Sequence, residues 1–181
     1  MRAFIAIDPP ESVRAVLRRT QASFRSVCPD ARWTQPEEIH LTLKFLGEIS
    51  DAKVKEVSVS LKNLGRFEGF AIGLKGFGFF PDARRPTVLW AGVEAPARLG
   101  QLAEQVEEAM RKIGFAREGR VFRPHLTLAR FRVPRPQPAL QALLKQQGEQ
   151  ELANFDVSEF FLFESKLLPQ AAEHRKVERF P

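Results

Sequence analysis

The sequence predicts an α+β fold built as two interlocked lobes. Three observations carry that prediction. Strand-like and helix-like segments alternate twice along the chain, the tetrapeptide His-Leu-Thr-Leu occurs once in each half, and no low-complexity linker separates the halves. At 181 residues, 44% hydrophobic and 28% charged, the chain has the composition of an ordinary folded protein and the length to bury a real core. A single bilobed domain over residues 1–181 is expected.

The elements follow from local pattern. Residues 2–8 contain the apolar run Ala3 to Ile7 and read as a buried strand halted by Pro9-Pro10. That run is too short for a signal-peptide core or a membrane span. Residues 11–27 read as a helix, with Val13, Val16, Leu17, Thr20 and Phe24 at helical spacing and Pro29 as its stop. A short strand over 31–34 and a turn over 35–38 lead into the first repeat, a strand over 39–46 ended by Gly47. Ser50-Asp51 opens a helix over 51–64, closed by Gly65.

Residues 70–80 are rich in Phe and Gly, the pattern of a strand with a bulge or a close backbone approach. A basic, solvated loop over 81–86 precedes a strand over 87–94. Leu99, Leu102, Val106, Met110 and Ile113 mark a helix over 96–113, stopped by Gly114. A basic connector, 117–123, enters the second repeat strand, 124–131. Pro134, Pro136 and Pro138 break the pattern before a short helix over 140–147. Residues 155–167 read as one long strand suited to a sheet edge, and 175–180 as the last strand.

Lys and Arg outnumber Asp and Glu by 28 to 22, and the net charge of +6 favours a polyanionic or phosphate-bearing partner. The single cysteine, Cys28, permits no intramolecular disulfide and no thiolate cluster. A cytoplasmic setting is expected, with Cys28 packed as a small hydrophobe. The chain has 16 Phe and no Tyr, so stacking on a base must use Phe or Trp.

The repeat itself carries chemistry. On a strand, His and Thr at i and i+2 share one face while both Leu point to the other. Two such platforms facing each other would hold an acid–base group on each side of one substrate. Imidazole titrates near pH 6.5, so it serves as acid or base around neutrality. In-line displacement at phosphorus needs both, one group for the attacking oxygen and one for the leaving oxygen. The Thr hydroxyls would hold the non-bridging oxygens. Two His with no carboxylate in either repeat make a poor ligand set, so neither metal nor other cofactor is expected. Lys44, two residues past Thr42, falls on the His40 face. Arg130 stands three past Thr127, which on a regular strand is the opposite face, so a phosphate contact there requires a bulge. His174 has no following x-Thr and reads as structural or surface.

The two H-x-T-x motifs, His40-Leu41-Thr42-Leu43 and His125-Leu126-Thr127-Leu128, resemble the signature of the two-histidine (2H) phosphoesterases. Their flanks, Lys44-Phe45-Leu46-Gly47 and Arg123-Pro124 before with Ala129-Arg130 after, narrow the resemblance to the RNA 2′,3′-cyclic phosphodiesterase (2′–5′ RNA ligase-like) family. Arg2 to Ile7, Arg32-Trp33, Arg85 to Trp90 and Phe163 to Leu167 extend it over essentially the whole chain.

The resemblance implies a pseudo-two-fold arrangement of two small antiparallel sheets, with helices on their outer faces and a central cleft. It implies hydrolysis of an RNA-terminal 2′,3′-cyclic phosphate to a 2′-phosphomonoester, and in some relatives reversible 2′–5′ ligation of tRNA halves. His40 would be the proton donor and His125 the proton acceptor, with Thr42 and Thr127 orienting the phosphate. Arg130, Lys44 and Phe45 are the candidate substrate contacts. The expected partner is RNA ending in a cyclic phosphate, bound by a monomer away from any membrane. Many relatives carry Tyr at the position of Phe163 and near His174, so any hydroxyl contact made there is missing here. Two other readings stay open: an RNA-end-binding module without turnover, and a phosphodiesterase of small cyclic or 2′–5′-linked nucleotides.

Overall fold

The computed structural model describes the chain except for Ala95 and residues 169–171, together with the side chain of Leu167. In order, the elements are β1 (Arg2–Ile7), α1 (Glu11–Arg25), β2 (Arg32–Trp33), a 3-10 turn (Pro36–Glu38), β3 (Leu41–Glu48), α2 (Asp51–Lys62), β4 (Phe70–Phe80), β5 (Val88–Glu94), α3 (Ala97–Lys112), β6 (His125–Arg130), α4 (Pro138–Gln147), β7 (Glu151–Val157), β8 (Phe160–Leu167) and β9 (Ala172–Phe180).

The strands lie side by side as β7-β4-β5-β6-β3-β1-β8-β9, with β2 added on β6. Every described pairing is antiparallel. Between β6 and β3 the register consists of one pair, Leu41 opposite Leu126. The curled sheet is therefore two four-stranded halves hinged at one rung, and each half ends in its own His-Leu-Thr-Leu strand. Both leucines are fully buried, so they point into the core and their neighbours point the other way.

Helices lock the halves together. α1 follows β1 of one half yet packs on β7 of the other, and α3 follows β5 yet packs on β3. Val13, Leu17 and Phe24 form the buried stripe of α1, and Leu99, Leu102, Val106 and Met110 that of α3. Ser50 caps α2, its Oγ accepting the Lys53 N–H at 3.2 Å. Cys28 is buried, as its composition context suggested. In β4, Gly76 sits at φ 68° where the β4–β5 register slips, which is the bulge its glycines predict.

One expected element is corrected. Residues 155–167 are not one edge strand. The chain breaks at Ser158-Glu159, with β7 pairing to β4 in one half and β8 lying between β1 and β9 in the other. The two consecutive polar residues let the chain cross between halves, and the run Phe160 to Phe163 then fills the core as an inner strand. The last strand also begins earlier than expected, at Ala172. Among the described residues no helix is long and apolar enough to cross a membrane.

Candidate active site in the central cleft

Both motifs open onto one cleft of about 680 Å³, lined by His40 and Thr42 from one half and by His125 and Thr127 from the other. The antiparallel register around Leu41–Leu126 carries His40 toward Thr127 and His125 toward Thr42. A smaller hollow of about 270 Å³ lies beside α3, but neither motif reaches it and its Arg98 is paired with Glu68 at 2.7 Å.

The two histidines are held alike. His40 Nδ1 donates to the Glu38 carbonyl at 2.9 Å, and His125 Nδ1 donates to the Arg123 carbonyl at 2.6 Å. A carbonyl only accepts, so in both rings Nδ1 carries the hydrogen and Nε2 is left for the cleft. Burial pushes both imidazoles below their ordinary range, His40 to about 4, where neighbouring His174 adds to the lowering.

The same β-bulge follows both motifs. Along β1–β3, Ile5 pairs with Lys44 and Ala6 with Thr42, so Leu43 is the extra residue. Along β5–β6, Leu89 pairs with Ala129 and Trp90 with Thr127, so Leu128 is the extra residue. Each bulge reverses the facing of the residues beyond it. Leu43 and Lys44 both turn inward, as do Leu128 and Ala129, and the next residue returns to the cleft. That residue is Phe45 in one half and Arg130 in the other. The second bulge is pinned from outside the strand: Leu128 O accepts from Thr34 N at 2.9 Å and from Gln21 Nε2 at 3.0 Å.

The bulge supplies what Arg130 required, and Arg130 lines the cleft, where burial first and the neighbouring Arg32 second lower its proton affinity. Phe45 lines it as well and is 61% exposed. Lys44 is corrected. It is 6% exposed and away from the cleft, with its Nζ 2.8 Å from Glu107 Oε1 and 3.0 Å from the Ala116 carbonyl. Simple alternation put Lys44 on the His40 face, and the Leu43 bulge removes it.

His174 is corrected in the other direction. It lines the cleft, its ring centroid 4.9 Å from that of His40. Phe4 lies against His40 at 4.4 Å, with Phe163 stacked behind Phe4 at 5.0 Å, so the His40 side has an aromatic backing. Neither His174 nor Phe4 belongs to a motif. Phe4 sits on β1 beside the motif strand β3, within the Arg2 to Ile7 stretch that carries the family resemblance, whereas His174 sits on β9, separated from β3 by β1 and β8. Among the described residues no set of three His, Cys, Asp or Glu side chains converges as a metal-ligand cluster.

The model of the LigT-like phosphoesterases matches residues 7–90 and 92–172. The chain belongs to that family. Curated members similar to this LigT-like phosphoesterase include the RNA 2′,3′-cyclic phosphodiesterase of Methanothermobacter thermautotrophicus, 33% identical over 99% of this chain and 98% of its own. The enzyme of the same name from Aeropyrum pernix is 37% identical over 85% of this chain and 88% of its own. Among solved structures, TT0787 of Thermus thermophilus aligns with a TM-score of 0.84 at 30% identity, covering 99% of this chain and 97% of that one. E. coli LigT complexed with 3′-AMP aligns at 0.78 and 28%, covering 99% and 96%. The two-lobed fold of this phosphoesterase is thus that of solved relatives.

Proposed function

We propose that this chain hydrolyses the 2′,3′-cyclic phosphate at an RNA end to a 2′-phosphomonoester, acting as one unit over its full length and using two histidines without a metal. The observation that carries this reading is the matched pair of imidazoles, each with Nδ1 fixed on a backbone carbonyl and Nε2 directed to a shared cleft. The names borne by the relatives support the same substrate.

In the reaction, His125 Nε2 takes a proton from water as the water oxygen attacks phosphorus. The P–O3′ bond breaks on the opposite side, and His40 Nε2–H protonates the departing 3′-oxygen. Thr42 and Thr127 donate to the non-bridging oxygens, and Arg130 balances their charge. The asymmetry after the bulges supports this division. The leaving oxygen stays on the terminal ribose, so ribose and base belong on the side of His40, where exposed Phe45 offers apolar surface. Water and the anionic oxygens belong on the side of His125 and Arg130. A cyclic phosphate anion against His40 favours its imidazolium and offsets the lowering that burial causes. With the 5′-hydroxyl of a second RNA in place of water, His125 takes its proton, P–O3′ breaks and His40 protonates O3′, which joins tRNA halves by a 2′–5′ linkage. In the reverse cleavage the two histidines exchange roles.

The test uses an oligonucleotide ending in a 2′,3′-cyclic phosphate and protein treated with EDTA. Undiminished conversion to the 2′-phosphate is expected. Loss of activity with chelator, or a 3′-phosphate product, contradicts the mechanism. Binding without turnover points to an RNA-end-binding module, and a preference for mononucleotides points to a small-nucleotide phosphodiesterase.

A further inference from the structure

Glu38 touches both histidines on its side of the cleft. Its backbone carbonyl accepts His40 Nδ1–H, and its carboxylate Oε2 stands 2.9 Å from His174 Nδ1. The contact is well enclosed, the His174 side chain being 14% exposed and that of Glu38 19%. His174 comes from β9, opposite Ser165 of β8. Its ring meets the His40 ring edge-on, at 76° between planes. Phe4 closes the other side, 4.4 Å from His40 and 4.9 Å from His174.

Glu38 Oε2 and His174 Nδ1 are both buried, and among the described residues neither has a partner at hydrogen-bonding angles. Their approach to 2.9 Å leaves each the other's nearest recourse. One proton between a carboxylate and an imidazole nitrogen satisfies both atoms at once.

We propose that Glu38 and His174 are positioning residues for His40: they share a proton behind its ring, fix the ring against Phe4, and couple its proton affinity to their own charge. This rests on the acid role proposed for His40. With one shared proton the pair carries a negative charge, which favours the His40 imidazolium. With a second proton on His174 the pair is neutral as a whole but presents a cation to the edge of His40, which disfavours it. The other charged groups here are Glu37, Glu173 on β9 and Arg14 on α1, which act on Glu38, and Asp8 after β1 and Arg130 on β6, which act on His40. Asp8 is held by Arg14 and by Lys176 at 2.5 Å. Burial lowers the proton affinity of His174 and raises that of Glu38, which brings the two affinities toward each other as a shared proton requires.

The experiment is an NMR titration of the His40 imidazole in the ligand-free wild type and in His174→Gln, His174→Phe and Glu38→Gln, with backbone amide spectra reporting folding. Gln at 174 keeps a donor for Glu38 without a titratable ring, so it remains informative if Phe unfolds the site. His174→Gln is expected to move the His40 midpoint up, because the neighbouring cation is gone. Glu38→Gln is expected to move it down, because the carboxylate is gone. The descending limb of kcat should move the same way in each variant with KM little changed. An unmoved His40 midpoint in the folded variants overturns the proposal. Because the titration needs no substrate, it is read whether or not the proposed reaction holds.

Discussion

Phe45 and Arg130 occupy the same place in two copies of one structural motif, three residues past Thr42 and Thr127 and just beyond matching bulges at Leu43 and Leu128. The fold is nearly two-fold there and the chemistry is not. An aromatic ring on one side and a guanidinium on the other give the cleft a direction. Arg130→Ala should lower kcat/KM on a cyclic-phosphate oligonucleotide roughly 10- to 100-fold, the range for losing a charge-assisted contact. Phe45→Ala should cost about 1–3 kcal/mol of base stacking. An abasic ribose cyclic phosphate should be handled equally by wild type and Phe45→Ala. An equal loss on that substrate would show that the ring does not act on the base.

Lys44 is a structural cation. It and Glu107 form a buried ion pair, and Glu107 Oε1 also accepts the Glu118 N–H at 3.0 Å, tying the connector before β6 to β3. Lys44→Met should destabilise the protein by about 3–5 kcal/mol by leaving a buried carboxylate without its partner. Lys44→Met combined with Glu107→Leu should recover part of that in denaturant unfolding. Turnover per folded molecule should stay near wild type, which separates this role from substrate contact.

Gln21 sets the second bulge from a distance. It is 1% exposed, and its Nε2 donates to Thr34 O at 2.7 Å as well as to Leu128 O. Gln21→Leu should cost about 1–3 kcal/mol for the carbonyls left short of donors. It should also raise KM through Arg130, and an unaltered KM in the folded variant would show the bulge to be self-supporting.

The pH dependence comes from two lowered imidazoles. The base must be unprotonated, which favours higher pH, and the acid must be protonated, which favours lower pH, so the two groups bound the kcat/KM profile between them. With His40 near 4 and His125 below its ordinary 6.5, both limbs of the kcat/KM profile should lie on the acid side of 6.5. The kcat profile, read with the phosphate anion bound, should be displaced upward. A kcat/KM optimum above neutrality would contradict this assignment.

The motif strands were legible because alternation is local: His40 and Thr42, like His125 and Thr127, share a face wherever the strand runs straight. The bulges were not legible. Leu43 and Leu128 read as ordinary inward residues, and what makes each one extra is the ladder of a neighbouring strand, with a buried amide from α1 behind Leu128. Lys44 was misread for that reason, and Arg130 could only be made conditional on a bulge. His174 and Glu38 lacked any motif, since their meeting depends on β9 packing near the 3-10 turn that precedes His40. The run after Phe155 hid its break because Ser158-Glu159 interrupts two segments that are each strand-like.

The central claim is that two imidazoles act on one phosphate from opposite sides. The measurement that tests it most directly is the single-turnover rate of His40→Ala and of His125→Ala on a cyclic-phosphate oligonucleotide, in chelator. Each variant is predicted to fall by about 10²–10⁴. The double variant should fall little further, because either loss alone disables the pair. Near-normal turnover by either single variant would contradict the claim.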